Sequence, residues 1–587
     1  MSSEHKERLA ALRAVLGAAG LDGFIIPRAD EHLGEYVPES AERLAFMTGF
    51  TGSAGLAVVL ADRAAVWSDG RYVLQLAQQT DAALWERLHI TEQKPEFWTR
   101  DNAAGKRIGY DPWLVSADFL ARFTGVELVP VAQNPVDEIW VDRPAPPLAP
   151  AVPYSVDYAG QNSAAKRARL GAALREAGQD AAVISDPAGL AWLFNIRGTD
   201  VEFCPVALGF AILAADGTAT LFMAPEKVSG ALREHLGNEV TVAARHEMQG
   251  ALQALAGKTV RYDGATMPSW FKTTLEAAGT KVAAGDDPVA LPRACKNDVE
   301  QAGARAAHLR DAVAMVNFLS WAAERLHTGE ETEISAAAHL LACREAGALF
   351  KGESFPAISG AGEHGAVIHY RVSPESNRQI KPDEIYLIDS GGQYLDGTTD
   401  ITRTLWTGPG EAPRGAKNHV TRVLAGMIAL SQAVFPEGVA GAHLDALARG
   451  ALWQAGLDYD HGTGHGVGSF LSVHEGPAGI ARQAKPVPLQ AGMILSNEPG
   501  YYLPGAYGIR MENLLLVQPA DFAGPKKFLR FETLTLVPFD RALIDFSVLS
   551  PAALGWLNDY HARVWREVGP LVDGAARGWL EAACAAI

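Results

Sequence analysis

The chain has 587 residues, 48% of them hydrophobic and 20% charged, with a formal net charge of −17. The length exceeds what one hydrophobic core serves and predicts three to five domains. The composition is that of a soluble globular protein, and the negative balance excludes nucleic-acid binding as its main business. Four cysteines (Cys204, Cys295, Cys343 and Cys584) stand far apart with no CxxC pair, which fits a reducing compartment and disfavours cysteine-based zinc sites. The charged start has no secretory apolar core with a cleavage site, and no run approaches the roughly 20 apolar residues of a membrane span. A cytoplasmic protein is expected.

A helical pattern over residues 7–19 ends at Gly20, and a short apolar strand over 23–26 is stopped by Pro27, an α/β beginning. Residues 46–59 and 64–72 carry β-prone runs broken by glycines. Arg28, Asp30, His32 and Glu35 form a polar cluster, expected to be a solvated loop, with a substrate-facing loop as the alternative. Residues 143–153, RPAPPLAPAVP, hold five prolines and read as a semi-rigid linker. Residues 170–184 then echo 12–26: in each a helix ends at a glycine (Gly20, Gly178) and passes through an aspartate (Asp22, Asp180) into an apolar strand, at a lag of 158 residues. Two related α/β domains in tandem are expected; a chance match of common punctuation is the alternative. Residues 188–196 read as a buried helix. A second boundary falls in 286–296, DDPVALPRACK. Asp298 is expected to cap a long helix over 299–326, and another follows residues 331–333. From 355 to about 541 the chain is rich in strands and glycines. The tail, 551–587, is helical in pattern, and its Trp556, Trp565 and Trp579 imply packing, on its own catalytic domain or on a second subunit. The domain division is 1–150, 151–290, 291–541 and 542–587.

The chemistry concentrates around residues 387–403, LIDSGGQYLDGTTDITR. A strand ends in Asp389, a turn near 393–397 follows, and a second β-prone run over 398–405 contains Asp400, so an antiparallel hairpin is expected to bring both carboxylates together. Two ionised carboxylates in an apolar setting either share a proton or hold a cation. His465 in HGTGHGVG, Glu498 before Pro499 and Glu512 before Asn513 also interrupt apolar runs. One histidine and four carboxylates make a hard, oxygen-rich ligand set carrying too much charge for one metal and balanced by two divalent ions.

These segments, DSGGQYLDGTTDITRT, HGTGHGVG, NEPGYY and GIRMEN, resemble the pita-bread metallopeptidases, and IIPRADEHLGEY, GFTGSAG, WSDGRY and VDEIWVDRP resemble the first domain of the long, three-domain Xaa-Pro aminopeptidases. The resemblance implies an α/β and α+β protein, with two creatinase-type α/β domains ahead of a pita-bread catalytic domain. It implies a metal-dependent aminopeptidase that cleaves before a proline in second position, with a hydroxide bridging two metal ions, most often Mn²⁺, with Zn²⁺ or Co²⁺ as alternatives. Asp389 would hold one ion, Asp400 and Glu512 would bridge, and His465 and Glu498 would complete the other. His369 and His474 would contact substrate, His461 would shape the proline pocket, and Tyr502 and Arg510 would stand near the metals, with Arg510 orienting ligands. Glu498 is the expected general base. Peptides are the expected partners, with no nucleic acid or membrane and with a homodimer as the assembly. Prolidase and a metal-free binding module are the alternatives.

Overall fold

The computed structural model describes residues 2–587. They form two compact units, Met1–Ala290 and Leu291–Ile587.

The first unit holds two six-stranded sheets of one design. In the first sheet Gly23–Pro27 pairs antiparallel with Leu56–Leu60 on one side and parallel with Arg107–Tyr110 on the other. In the second, Ala181–Ile184 pairs antiparallel with Phe210–Ala214 and parallel with Thr259–Tyr262. The punctuation repeated in the sequence has a physical cause. Gly20 and Gly178 both take φ +68° after their helices, a left-handed turn that glycine adopts without Cβ strain. Asp22 then accepts the Arg107 N–H at 2.9 Å and Asp180 the Thr259 N–H at 2.8 Å. Each aspartate thus fixes the register of its parallel neighbour. The buried helix expected over 188–196 is Pro187–Phe194, capped by Asp186.

Two expectations for this unit are corrected. The cluster after the first strand is not a solvated loop: Asp30 and His32 are buried. Asp30 accepts the N–H groups of His32 and Gly34, while the His32 ring lies 2.9 Å from the Ser185 carbonyl and stacks on Phe210. It joins one α/β domain to the next. The proline-rich linker is irregular up to Ala151, but Val152–Pro153 pairs with Ile196–Arg197. Asp200, in a buried ion pair with Lys227, also accepts the Ala149 N–H.

The second unit is built on the long helix Asp298–Arg325. Its cap is Asn297 rather than Asp298: Asn297 accepts from Val299 and Glu300, and the Glu300 side chain returns to the Asn297 N–H, a reciprocal box that Asp298 could not form. The hairpin also differs from expectation. Ile385–Ser390 does pair antiparallel with Ile401–Trp406, between Ser390↔Ile401 and Ile385↔Trp406. The connection folds into a second small hairpin, Gly392–Tyr394 with Gly397–Thr398, joined to Phe350–Glu353. Asp400 therefore precedes its strand instead of lying inside it. Two helices, Arg414–Ser431 and Gly441–Trp453, interrupt the stretch expected to be strand-rich. A six-stranded sheet supplies the other wall of the site; within it, Gly464–Gly466, Ile494–Asn497 and Asn513–Ala520 are neighbours.

The tail forms helices Pro551–Val568 and Gly574–Ala583. Leu557, Val564 and Leu580 enter the same core as Phe318, Tyr386 and Leu424, with the three tail tryptophans packed against it. The tail thus packs on its own second unit. No helix among the described residues is long and apolar enough to cross a membrane.

Leu557 is fully buried where the tail meets this core. Leu557→Ala is expected to cost about 2–5 kcal/mol, read as a lower denaturant midpoint for the catalytic unit.

Candidate metal centre

Backbone register brings the candidate ligands together. Asp389 lies opposite Thr402 in the Ile385–Ser390 and Ile401–Trp406 pair. In the larger sheet the pair Asn497↔Asn513 ends a ladder, so Glu498 leaves one strand where Glu512 enters the next. His465 comes from the neighbouring strand. There Gly464 is required by close approach, since a Cβ would run into the Ser496 carbonyl. The two sheets meet at Thr402, whose carbonyl accepts the Glu512 N–H and whose hydroxyl donates to Glu512 Oε2 at 2.8 Å.

Asp400, His465 and Glu512 form a cluster whose ligand atoms lie within 4.8 Å of one another. His465 Nε2 is 3.5 Å from both Asp400 Oδ2 and Glu498 Oε1. Asp389 stands beside this group, its Oδ2 held by Arg510 Nη2 at 2.6 Å and Nε at 3.1 Å. The tautomer of His465 is fixed by the Gly466 carbonyl, 2.9 Å from Nδ1. Nδ1 therefore carries a proton, and Nε2 faces the carboxylates, where it offers a lone pair once a cation displaces its own proton.

The electrostatics show what this arrangement lacks. Burial, and then the Asp400 charge, push Asp389 above the usual carboxylate range against the pull of Arg510. Burial raises Glu512 well above that range, with Asp400, Glu498 and Asp389 adding to it. Burial lifts Glu498 to about 7 although His465 opposes it. For His465 burial works against the charged form, but Asp400 and Glu498 outweigh it and hold the imidazolium up to about 9. Asp389 Oδ1 and Glu512 Oε1 are buried with no hydrogen-bond partner. Orphaned carboxylate oxygens, an inward-facing imidazole nitrogen and clustered negative charge are the donor set that hard divalent cations satisfy, and these residues fit such a group.

The remaining sequence candidates surround it. Arg510 Nη1 donates to the Tyr502 hydroxyl at 2.6 Å, and that hydroxyl lies 2.9 Å from His461 Nε2. The His461 Nδ1 faces the Gly462 carbonyl at 2.7 Å, so Nε2 accepts from Tyr502. The His474 ring stands nearly perpendicular to that of His465, 4.3 Å between centres. His369 is half-buried on an irregular segment whose Ile368 carbonyl is 3.3 Å from Arg510 Nη1. Two contributors escaped sequence reasoning. Thr402 orients Glu512, and the Ser496 hydroxyl accepts the His465 N–H and donates to Glu498 Oε1 at 3.1 Å. Their signal was only strand alternation, which puts Thr402 opposite Asp389.

Comparison with known proteins agrees with this geometry. The family description "Metallopeptidase family M24" matches residues 302–519 and its C-terminal region matches 527–587. Creatinase/prolidase N-terminal domains match 8–139 and 142–300. Aminopeptidase P2 of Arabidopsis thaliana is 40% identical over 98% of this chain and 87% of its own length. The chain belongs to metallopeptidase family M24, in its aminopeptidase P branch. Within that branch, a probable Xaa-Pro aminopeptidase P of Aspergillus niger is 38% identical over 98% of both chains. The crystal structure of an X-prolyl aminopeptidase from Caenorhabditis elegans, described as a cytosolic enzyme with a di-nuclear active site, superposes with a TM-score of 0.93 at 33% identity. It covers 99% of this chain and 100% of its own.

In the metal-free protein, Glu498 rises from 4.5 to about 7 and His465 from 6.5 to about 9, so both bind protons more tightly folded than unfolded. Their stabilisation is full below pH 4.5 and 6.5, respectively, and is lost as pH climbs through about 7 and about 9. Chelator-treated protein is therefore expected to melt at falling temperature across this window. Added divalent cation should restore the melting temperature with release of protons, measured by calorimetry in buffers of different ionisation enthalpy.

Proposed function

We propose that the chain is an Xaa-Pro aminopeptidase that removes an N-terminal residue preceding proline, with two divalent ions held by Asp389, Asp400, His465, Glu498 and Glu512. The observation that carries this is the grouping of Asp400, His465 and Glu512 beside two orphaned carboxylate oxygens, in a chain of the aminopeptidase P branch. Asp389, Asp400 and Glu512 would hold one ion, and Asp400, Glu512, His465 and Glu498 would hold the other. Mn²⁺ is the proposed metal, since the donors are mostly carboxylate oxygens. Zn²⁺ and Co²⁺ suit the same set.

When bound, the ions supply Lewis acidity, polarising a carbonyl oxygen and acidifying a water. The protein's residues supply the rest. The Ser496 hydroxyl orients Glu498 by donating to its Oε1. The Glu498 carboxylate takes the proton of the attacking water and returns it to the departing proline nitrogen. That nitrogen belongs to a tertiary amide with no N–H to offer, so recognition of proline falls to shape, with His461 and Tyr502 forming the ring pocket. His369 and His474 contact the substrate and stabilise charge on the reacting carbonyl. Arg510 acts through Asp389, holding one carboxylate oxygen so that the other faces the site.

Residues 1–150 and 151–290 are assigned as the two front domains, 291–541 as the catalytic domain and 542–587 as its helical extension. A cytoplasmic enzyme is proposed, supported by the scarce cysteines and by the cytosolic relative from Caenorhabditis elegans, and a homodimer is the proposed assembly. The front domains favour this reading over prolidase. The filled ligand positions favour it over a metal-free module.

Purified protein is expected to bind two divalent ions per chain and to cleave Xaa-Pro-Yaa peptides as well as Xaa-Pro dipeptides; cleavage of dipeptides alone would make it a prolidase. Asp400→Ala should abolish both metal binding and hydrolysis. Glu498→Gln should lower kcat by about 10²–10⁴-fold with KM little changed. Full activity in either variant overturns the assignment.

A further inference from the structure

Glu333 is the first residue of helix Glu333–Glu345, and its side chain is fully buried. A carboxylate in such a place is costly unless its lone pairs are taken. All of its partners come from one short segment. Oε1 accepts the Ala361 N–H at 2.8 Å, the His364 Nδ1–H is shared between Oε1 and Oε2 at 2.9 and 3.0 Å, and Oε2 accepts the Tyr370 hydroxyl at 3.0 Å. That segment runs from the end of strand Ile358–Ala361 through a short 3₁₀ turn and has no sheet ladder of its own. The carboxylate itself cannot wander. Its N–H is bonded to the Arg378 carbonyl, its carbonyl accepts the Ser359 hydroxyl at 2.7 Å, and the positive end of its own helix favours the negative charge.

The other side of the segment is held by Arg510, whose Nη1 reaches the Ile368 carbonyl while Nη2 binds Asp389. His369 therefore stands between two anchored neighbours, Ile368 tied to Arg510 and Tyr370 tied to Glu333. Strand Ile358–Ala361 in turn lies beside Asp389, in the register Ile358↔Asp389.

We propose that Glu333 is a positioning residue for the hydrolysis, fixing the 361–370 segment so that His369 is presented to the substrate. It touches neither substrate nor metal and acts through His369. This rests on the substrate-contacting role proposed above for His369.

The test uses the full-length holoenzyme and an Xaa-Pro-Yaa peptide. Glu333→Gln keeps the shape but sets an amide N–H against groups that are themselves donors. It is expected to lower kcat/KM by about 10–100-fold, mainly through kcat. Bound metal and its affinity should stay unchanged by metal analysis and titration calorimetry. Amide exchange should quicken at residues 361–370 and nowhere else. The deciding comparison is with His369→Ala: if Glu333 acts through His369, the double variant is no slower than His369→Ala alone, whereas independent effects multiply. Should Glu333→Gln fold poorly, Tyr370→Phe removes one of the three partners and should show a smaller loss with the same non-additivity. Multiplying losses, or wild-type kcat/KM in folded Glu333→Gln, overturn the proposal while leaving His369 in place. Wild-type activity in His369→Ala overturns the role of His369 and this proposal with it.

Discussion

Four carboxylates converge in the interior of the catalytic unit, and their mutual repulsion is the constraint on which the rest of that unit depends. Burial raises Asp389, Glu498 and Glu512 above the ordinary carboxylate range, and the Asp400 charge raises each further. One guanidinium, Arg510, meets only part of that charge. The open choice between a shared proton and a cation is therefore narrowed by number. One proton relieves one pair, but four carboxylates with two orphaned oxygens require more positive charge than a proton brings. Two divalent ions match the charge of the donors. The fold sets Asp389 and His465 on strands and Asp400, Glu498 and Glu512 at the ends of strands from two sheets, where strand register fixes side-chain direction better than a long loop does.

The same economy explains why the tail belongs to the catalytic unit. Arg403 follows Thr402 on the strand beside Asp389 and is fully buried with no carboxylate partner. Its guanidinium donates to the carbonyls of Thr402, Glu512, Val537 and Pro538, to the Asn513 side chain and to the Tyr560 hydroxyl. A buried cation satisfied by neutral dipoles holds its charge less readily, and burial accordingly lowers its pKa. Every N–H must find an oxygen, so the strand that enters the metal centre, the strand after Glu512 and the tail helix are fixed relative to one another by one side chain.

Much of this was legible in the sequence. The five candidate ligand positions stood out because ionisable residues interrupted β-prone runs beside glycines, a pattern a solvated surface does not need. The tandem front domains were legible through Gly20 and Gly178, Asp22 and Asp180, since a left-handed turn and a capped parallel strand both demand particular residues. What escaped depended on contacts remote in sequence. Asn297 and Asp298 are equally good caps in isolation, and only the return bond from Glu300 decides between them. His32 looked like loop polarity because Ser185 and Phe210, its partners, lie more than 150 residues away. Helices Arg414–Ser431 and Gly441–Trp453 were hidden in a stretch whose glycines and strands drew the reading elsewhere. The expected hairpin was right in its outer strands and wrong at its tip, where Gly391 lets the chain pass so close to Thr399 that a Cβ would strike its carbonyl.

Arg510 draws these threads together through its shape. One face of the guanidinium fork grips Asp389, and Nη1 serves both the Tyr502 hydroxyl and the Ile368 carbonyl. Tyr502 is thereby left with its proton directed at His461 Nε2. A lysine could supply the charge but not three directions in one plane. The orientation of a metal ligand, the direction of the hydroxyl that faces the histidine in the proposed proline pocket and the placement of the segment bearing His369 thus hang on one planar group. A small displacement of Arg510 would be felt in all three at once, which is why Glu333 must secure the His369 segment from the opposite side.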